Sequence, residues 1–261
     1  MINSLYVDNF RCFSEFEYHP SSLELLLGDN GSGKSSVFDV LASIRDVVAH
    51  GIPTDSKEAF PARSRSAWAD EPIQRFRLGM KSHDGQYWYT LAVEHDEKRI
   101  KNRITSEKLT FEDQVLFEFD GSEVHLYRDD GSAGPTFPFD WTRSFIATIP
   151  ERPENQRLTW FRQRLQSIYV FSPDPRAMRS VSQQELDRPD RELTDLVSWL
   201  LYFAGEEVDE GTRYKYKVKD PDFKNAAHAF IAKYRESRSG KTTETLPALH
   251  EAHGETIRID S

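Results

Sequence analysis

The stretch that decides the fold reads Gly28-Asp29-Asn30-Gly31-Ser32-Gly33-Lys34-Ser35. It satisfies the P-loop pattern G-x-x-x-x-G-K-[ST] at every fixed position. Glycines allow backbone conformations that residues with a Cβ resist, so the N–H groups of such a loop can turn inward around an anion. The alternative interpretation is a chance match in a loop rich in glycine and serine. The flanking residues decide between the two.

Those flanking segments have the order that a P-loop requires. Before the loop, the apolar run Leu23–Leu27 is typical of a short strand buried in a central sheet. After it, Ser35–Val48 carries apolar residues at helical spacing, and His50-Gly51-Ile52-Pro53 ends the helix. We therefore expect helix N-terminal amides to reinforce the loop as a phosphate site.

The residue types predict ATP with Mg²⁺ as the ligand. Lys34 supplies a point charge to the β- and γ-phosphates, and the Ser35 hydroxyl ligates Mg²⁺. Together with these two residues, the predicted phosphate cradle comprises Gly28, Asn30, Gly31, Ser32 and Gly33.

Composition limits the remaining possibilities. The 261 residues carry a formal net charge of −9, which argues against attraction of nucleic acid by the surface as a whole. Local basic runs exist at residues 98–103 and 213–219, and a solvated strand face is the simpler interpretation of each. Cys12 is the only cysteine, which fits a reducing cytoplasm. There is no apolar run that could span a bilayer and no signal-peptide pattern.

The middle of the chain predicts an antiparallel β region. Ser4–Phe13 and Ser14–His19 are expected strands before the loop, and residues 54–70 an exposed loop. Short β-rich segments follow at 76–80, 87–93, 108–111, 115–119 and 124–127, with Asp84-Gly85 and Asp120-Gly121 as turns. Residues 129–135 predict a further loop, and 168–171 a strand. Helices are expected at 156–166, 190–203 and 222–234.

Residues 5–13, followed by the loop and Ser36, resemble the start of an ABC-type ATPase head of the RecF, SMC and OLD-nuclease group, whose members are often called AAA family ATPases. The specific points are Asn30 at the third loop position and the strand Asn9-Phe10-Arg11-Cys12-Phe13. The resemblance implies an α/β P-loop NTPase fold of ABC-type head architecture. That fold has a central mixed sheet, an antiparallel β region and flanking helices. It also implies that Arg11 and Ser36 lie at the nucleotide, although a surface arginine on an edge strand explains Arg11 equally well.

On this resemblance, residues 1–236 form the N-terminal lobe of the head. Its β-rich insert covers 54–145 and its mostly helical part 146–236, while 237–261 is a polar tail. Such heads need a second half with a signature loop and a Walker B strand ending in Asp-Glu, and neither is evident. Residues 208–212 and 199–207 resemble them superficially, and 239–242 ends like a second P-loop but lacks its first glycine.

We therefore expect the chain to bind ATP well and to hydrolyse it poorly, since no Walker B acid is present to position water. The chain is a fragment, its other lobe is a separate polypeptide, or it is a scaffold without turnover; the sequence leaves these open. The resemblance implies a homodimer or a complex with a lobe carrying Walker B and signature motifs, a nuclease partner, and DNA contact through a local patch. DNA repair, chromosome maintenance or anti-phage defence would be the setting.

Other candidates are weaker. Gln74, Gln86 and Gln114 could each be the Q-loop residue that touches Mg²⁺, but glutamines on strand surfaces are common. The aromatic residues at 87–89 and Trp141 are better explained by packing than by base stacking.

A small-molecule P-loop kinase is the third functional alternative. The β-rich insert and the absence of an arginine-rich lid count against it.

Overall fold

The computed structural model describes residues 1–96, 101–179, 186 and 188–199, and the backbone of 206–207 and 215–216. The chain divides into two compact units, Met1–Val170 and Phe171–Ser261. The strands of the first unit are β1 (Ile2–Asp8), β2 (Phe16–Tyr18), β3 (Ile73–Lys81), β4 (Gln86–Asp96), β5 (Lys101–Phe111), β6 (Gln114–Phe119), β7 (Glu123–Tyr127) and β8 (Ala133–Pro138). Its α-helices are α1 (Lys34–Val48) and α2 (Gln156–Gln166), and short 3-10 turns occur at Ala62–Ser64, Phe145–Ala147 and Pro153–Asn155.

The eight strands form one sheet in the order β2-β1-β3-β4-β5-β6-β7-β8. Every neighbouring pair is antiparallel. The long hairpins arise from alternation: along β4 the residues from Tyr87 to His95 are buried at every second position. The predicted antiparallel β region is therefore confirmed, and both Asp-Gly pairs lie between strands as expected.

One face of the sheet is covered by helix. In α2, Trp160 stacks on Tyr87 of β4 at 4.7 Å between ring centroids, and Phe161 lies 5.4 Å from Tyr89. Helix α1 buries one apolar stripe, which includes Val40, Ile44 and Val47, in the same core. Both helices begin and end within one residue of the predicted bounds.

Two predicted strands are absent from the structure. Residues Leu23–Leu27 form no strand, and Leu23, Leu25 and Leu27 are 85%, 77% and 81% exposed. Both edges of β1 are paired, by β2 and by β3, and no described strand pairs with this segment. The expected strand at 168–171 is likewise absent.

The two loops predicted at 54–70 and 129–135 agree only in part with the structure. Residues 54–70 do not lie wholly on the surface, because Phe60 is fully buried between Phe10 and Phe76. Residues 133–135 belong to β8, where Pro135 is tolerated because β8 is an edge strand. The predicted central mixed sheet is corrected as well: within the described residues the eight-stranded sheet is purely antiparallel.

The second unit is described only in part. Backbone bonds join Ser172 to Arg191 and Arg179 to Thr194, and residues 196–199 are helical. The strands β9 (Glu206–Glu207) and β10 (Lys215–Tyr216) form an antiparallel pair. The helix expected at 190–203 begins later than predicted, since 190–195 is not helical. Its end, the helix at 222–234 and the tail at 237–261 lie outside the described residues.

No helix within the described part of the chain is long and apolar enough to cross a bilayer.

Candidate phosphate-binding site

The loop between residues 28 and 33 is closed around the Lys34 side chain. Its ammonium Nζ donates to the carbonyl oxygen of Gly28 at 2.6 Å and to that of Asp29 at 2.7 Å, and lies 3.4 Å from Ser32 Oγ. The ammonium is therefore held inside the loop by main-chain oxygens. An anionic ligand that replaces these contacts would meet a cation already centred in the cradle.

Gly33 joins the loop to α1 and has a left-handed backbone with φ of 94°. Only glycine adopts this conformation without strain. The position is also crowded: a Cβ there would lie 2.7 Å from Cys12 Sγ and 3.0 Å from Phe13 Cε1. The turn that follows β1 therefore packs directly against the end of the loop.

The turn that carries Arg11 is held firmly. The Arg11 amide donates to the Ser64 carbonyl at 2.7 Å, and its guanidinium pairs with Asp39 on α1. The Arg11 side chain is 45% exposed, whereas that of Asp39 is 11% exposed. The Arg11 side chain therefore packs against the surface of α1, where solvent reaches it, and is not part of the core. Its expected role at the nucleotide stays a prediction.

The start of α1 supplies the remaining groups. Lys34 is the first helical residue, so the unpaired amides of the first turn face the loop side of the helix. Ser35 is exposed, whereas Ser36 is buried, with its Oγ 3.9 Å from Cys12 Sγ. Asn30, Gly31 and Ser32 are exposed at the tip of the loop.

These residues fit ATP with Mg²⁺. The cradle has an inward-facing cation, unpaired helix amides and an exposed hydroxyl at Ser35. Its junction at Gly33 has no room for a side chain. Lys34 and the amides would hold the phosphates and Ser35 would ligate the metal, which when bound neutralises phosphate charge. Among the described residues, no group of three or more His, Cys, Asp or Glu could hold a metal ion unaided.

The three Q-loop candidates are engaged elsewhere. Gln74 is fully buried, and its side chain bonds the Asn9 carbonyl at 2.8 Å and His95 Nε2 at 2.8 Å. Gln86 bonds Asn3, and Gln114 accepts from Arg157 at 2.9 Å. The geometry gives each glutamine a structural role.

Sequence reasoning missed the support that Cys12 and Phe13 give to the loop. Both follow Arg11 in the stretch that carries the family resemblance, so that stretch was the available signal. It also missed a buried carboxyl at Glu107. Tyr89 and Ser144 donate to its Oε1 at 2.9 and 2.6 Å, and burial raises the pKa of Glu107 to about 7. No pattern in the sequence marks that position.

Several predicted features fall outside the described residues. They include the segment 208–212, the terminal P-loop-like motif at 239–242 and most of the two basic runs. Of the first basic run, Arg103 is described, and it pairs with Glu94 at 2.5 Å. This contact agrees with a solvated strand face at that position.

A glycine-rich loop with an inward lysine at the start of a helix has the features expected of a P-loop, and its binding of phosphate stays a prediction. Residues 1–116 match the family model described as an AAA ATPase domain. This match supports an AAA-type ATPase family for that part of the chain, and ATP binding as its function. No curated protein matches the sequence.

Proposed function

We propose that this chain is the ATP-binding lobe of a RecF-, SMC- or OLD-like ATPase, in which bound ATP promotes dimerisation or engagement of a partner. The observation that carries the proposal is the Lys34 ammonium, held between the Gly28 and Asp29 carbonyls at the start of α1. The family match over residues 1–116 includes that site. A cytoplasmic location and a role in DNA repair, chromosome maintenance or anti-phage defence belong to the same proposal.

Hydrolysis requires more than this loop supplies. Phosphoryl transfer to water needs a group that positions the nucleophile and charge that stabilises the transition state. Within the described residues, the carboxylate on the first turns of α1 is Asp39, which is paired with Arg11. We therefore propose that the acid and the signature loop come from a second lobe, either on a longer form of this chain that pairs as a homodimer or on another polypeptide. A nuclease partner and DNA contact through a local patch remain part of this proposal.

A scaffold that binds ATP without turnover is the second candidate. The Arg11–Asp39 pair favours it, because it neutralises that acidic side chain on α1. Such a subunit would report the nucleotide state of a larger complex and release no phosphate.

A single-turnover assay with labelled ATP separates the two candidates. The chain alone should bind ATP and release little phosphate. Addition of the polypeptide encoded next to it should raise the rate of release at least tenfold if the chain is a catalytic lobe. Binding without any gain in release would favour the scaffold. Rapid release by the chain alone would contradict the proposal that a second lobe is required.

A further inference from the structure

Asn9 and Arg11 give the turn after β1 a strained backbone. Their φ angles are 58° and 52°, in the left-handed region that few residues other than glycine occupy. Such residues persist where the surrounding structure fixes them, and they concentrate at functional sites. The same turn carries Cys12 and Phe13, whose side chains lie against Gly33 at the end of the P-loop. The groups that hold this turn therefore also fix the position of Gly33.

Gln74 on β3 holds the turn from inside the protein. Its side chain is fully buried, and its Nε2 donates to the Asn9 carbonyl at 2.8 Å and to the Ser64 carbonyl at 3.2 Å. The Ser64 carbonyl also accepts the Arg11 amide at 2.7 Å. One buried side-chain amide therefore joins the strained turn to the neighbouring segment at residue 64.

His95 on β4 fixes the orientation of that side-chain amide. Carbonyl oxygens accept hydrogen bonds only, so the group that faces Asn9 and Ser64 must be the NH2 of Gln74. The Oε1 of Gln74 then faces His95 Nε2 at 2.8 Å, and the ring nitrogen is the donor. A rotated Gln74 amide would bring its oxygen against two carbonyl oxygens. The pair therefore has one favourable arrangement.

Ser66 holds the turn at two further points. Its amide donates to Asn9 Oδ1 and its Oγ donates to the Phe13 carbonyl, both at 3.1 Å. Asn9, Ser66 and Gln74 are all buried. Water does not readily replace a hydrogen bond that is lost at such a position, so each bond contributes to the geometry of the turn.

We infer that Gln74 is a positioning residue for nucleotide binding, which acts on the phosphate cradle through the turn and Gly33. The inference rests on the proposed function, because it takes ATP as the ligand of the loop. Without the Gln74 amide, the Asn9 and Ser64 carbonyls lose a buried donor and the strained turn loses a constraint. The turn should then relax and shift the end of the loop that it packs against.

Gln74→Met tests the inference, with Gln114→Met as the matched control. Gln114 also donates to two main-chain carbonyls, those of Arg128 and Asp129 at 2.9 and 3.3 Å, and accepts from Arg157. In calorimetric titration with Mg-ATP, Gln74→Met should have a Kd about tenfold higher than the unmodified chain. Gln114→Met should bind ATP as the unmodified chain does.

The Cys12 thiol gives a readout that needs no nucleotide. Cys12 is exposed, is the only cysteine of the sequence, and has its Sγ against Gly33. Without ATP, an aromatic disulfide reagent that releases a coloured thiolate should react about tenfold faster with Gln74→Met than with the unmodified chain, because the loosened turn frees the sulfur. Gln114→Met should leave this rate unchanged.

Two His95 variants test the orientation of the Gln74 amide. A glutamine can place its Nε2 where the histidine Nε2 lies, so His95→Gln should keep the donor and bind ATP normally. His95→Leu removes the donor and should change ATP affinity and Cys12 reactivity in the same direction as Gln74→Met. If circular dichroism shows Gln74→Met to be unfolded, Ser66→Ala replaces it. That variant removes the bond to the Phe13 carbonyl and should give smaller changes of the same sign.

Three results would overturn the inference. Unchanged ATP affinity in a folded Gln74→Met would show that Gln74 does not position the cradle. Equal losses in Gln74→Met and Gln114→Met would assign the effect to general stability. Equally weak ATP binding by His95→Gln and His95→Leu would show that the donor to Gln74 is not what matters. If ATP fails to bind the unmodified chain, the proposed function fails, and a faster thiol reaction in Gln74→Met would still show that Gln74 holds the turn beside Gly33.

Discussion

Gly33 lies so close to Cys12 that a Cβ on the glycine would come within 2.7 Å of the cysteine Sγ. The contact ties the last residue of the phosphate loop to the turn that follows the first strand. The position of the loop therefore depends on a residue 21 places earlier in the chain, as well as on the glycine pattern itself.

Gly33→Ala should weaken both the fold and ATP binding. The left-handed backbone costs an alanine roughly 1–2 kcal/mol, and overpacking against Cys12 and Phe13 adds about 1–3 kcal/mol. Gly31→Ala is the matched control, since Gly31 has a φ of 85° but open space around its Cβ position. Urea unfolding should show the larger loss for Gly33→Ala, with part of it recovered when Cys12→Ala is added. Equal losses for the two glycines would contradict the packing argument.

The buried Glu107 should make stability fall as pH rises. Its pKa is raised by burial from 4.5 to about 7, so the native state holds the proton more tightly than the unfolded chain. The native state is thus favoured most below pH 4.5, and the penalty is complete above about pH 7. The loss is on the order of 3 kcal/mol. Glu107→Gln should remove this slope in urea titrations at a series of pH values. An unchanged slope would show that Glu107 does not carry it.

The buried His95 should make stability rise as pH rises, which is the opposite of the effect of Glu107. Burial, and then the charge of Arg65, lower its pKa from 6.5 to about 4, so the unfolded chain binds the proton first. Stability from neutral His95 is complete above pH 6.5 and is lost as pH falls towards 4. In the unmodified chain the two slopes oppose each other between pH 4.5 and 6.5. His95→Gln should therefore unmask the fall caused by Glu107, and Glu107→Gln should unmask the rise caused by His95. Two single variants with slopes of the same sign would exclude this assignment.

Phe161 should be a principal contributor to the packing of α2 on the sheet. Its side chain is fully buried and lies against the rings of Tyr89 and Tyr87. Phe161→Ala should cost about 3–5 kcal/mol of unfolding free energy, because it leaves a cavity between helix and sheet. Trp141→Ala, at a ring that is 47% exposed, should change stability by about 0.5 kcal/mol or less. Chemical denaturation of both variants tests the difference, and a cost for Phe161→Ala as small as that for Trp141→Ala would count against it.

The predictable part of the fold is the part with local signals. The hairpins were predicted because alternation and Asp-Gly turns lie within a few residues of one another, and α1 was predicted from its apolar spacing. The first half of β5 was missed, because residues 101–107 are largely polar and only their pairing with β4 makes them a strand. In the candidate site, the motif predicts the glycines, Lys34 and Ser35 as phosphate ligands, which stays a prediction, whereas the contact of Gly33 with Cys12 depends on tertiary packing that no motif encodes.

The leucine segment shows why pattern alone was insufficient. Leu23–Leu27 has the composition of a buried strand, but burial requires a neighbour with a free edge. No described strand pairs with this segment, and Leu23, Leu25 and Leu27 remain exposed. Phe60 shows the opposite outcome. It belongs to a segment that was predicted to be an exposed loop, yet its ring is buried because it packs against Phe10 and Phe76.

The most direct test of the ATP-binding claim is calorimetric titration of the chain with Mg-ATP, with Lys34→Ala as the comparison. The ammonium between Gly28 and Asp29 supplies the central charge of the cradle, so the unmodified chain should bind one ATP and the variant should bind roughly a hundredfold more weakly or not at all. Circular dichroism should show both proteins equally folded. Equal affinity of the two folded proteins for ATP would contradict the assignment of the site.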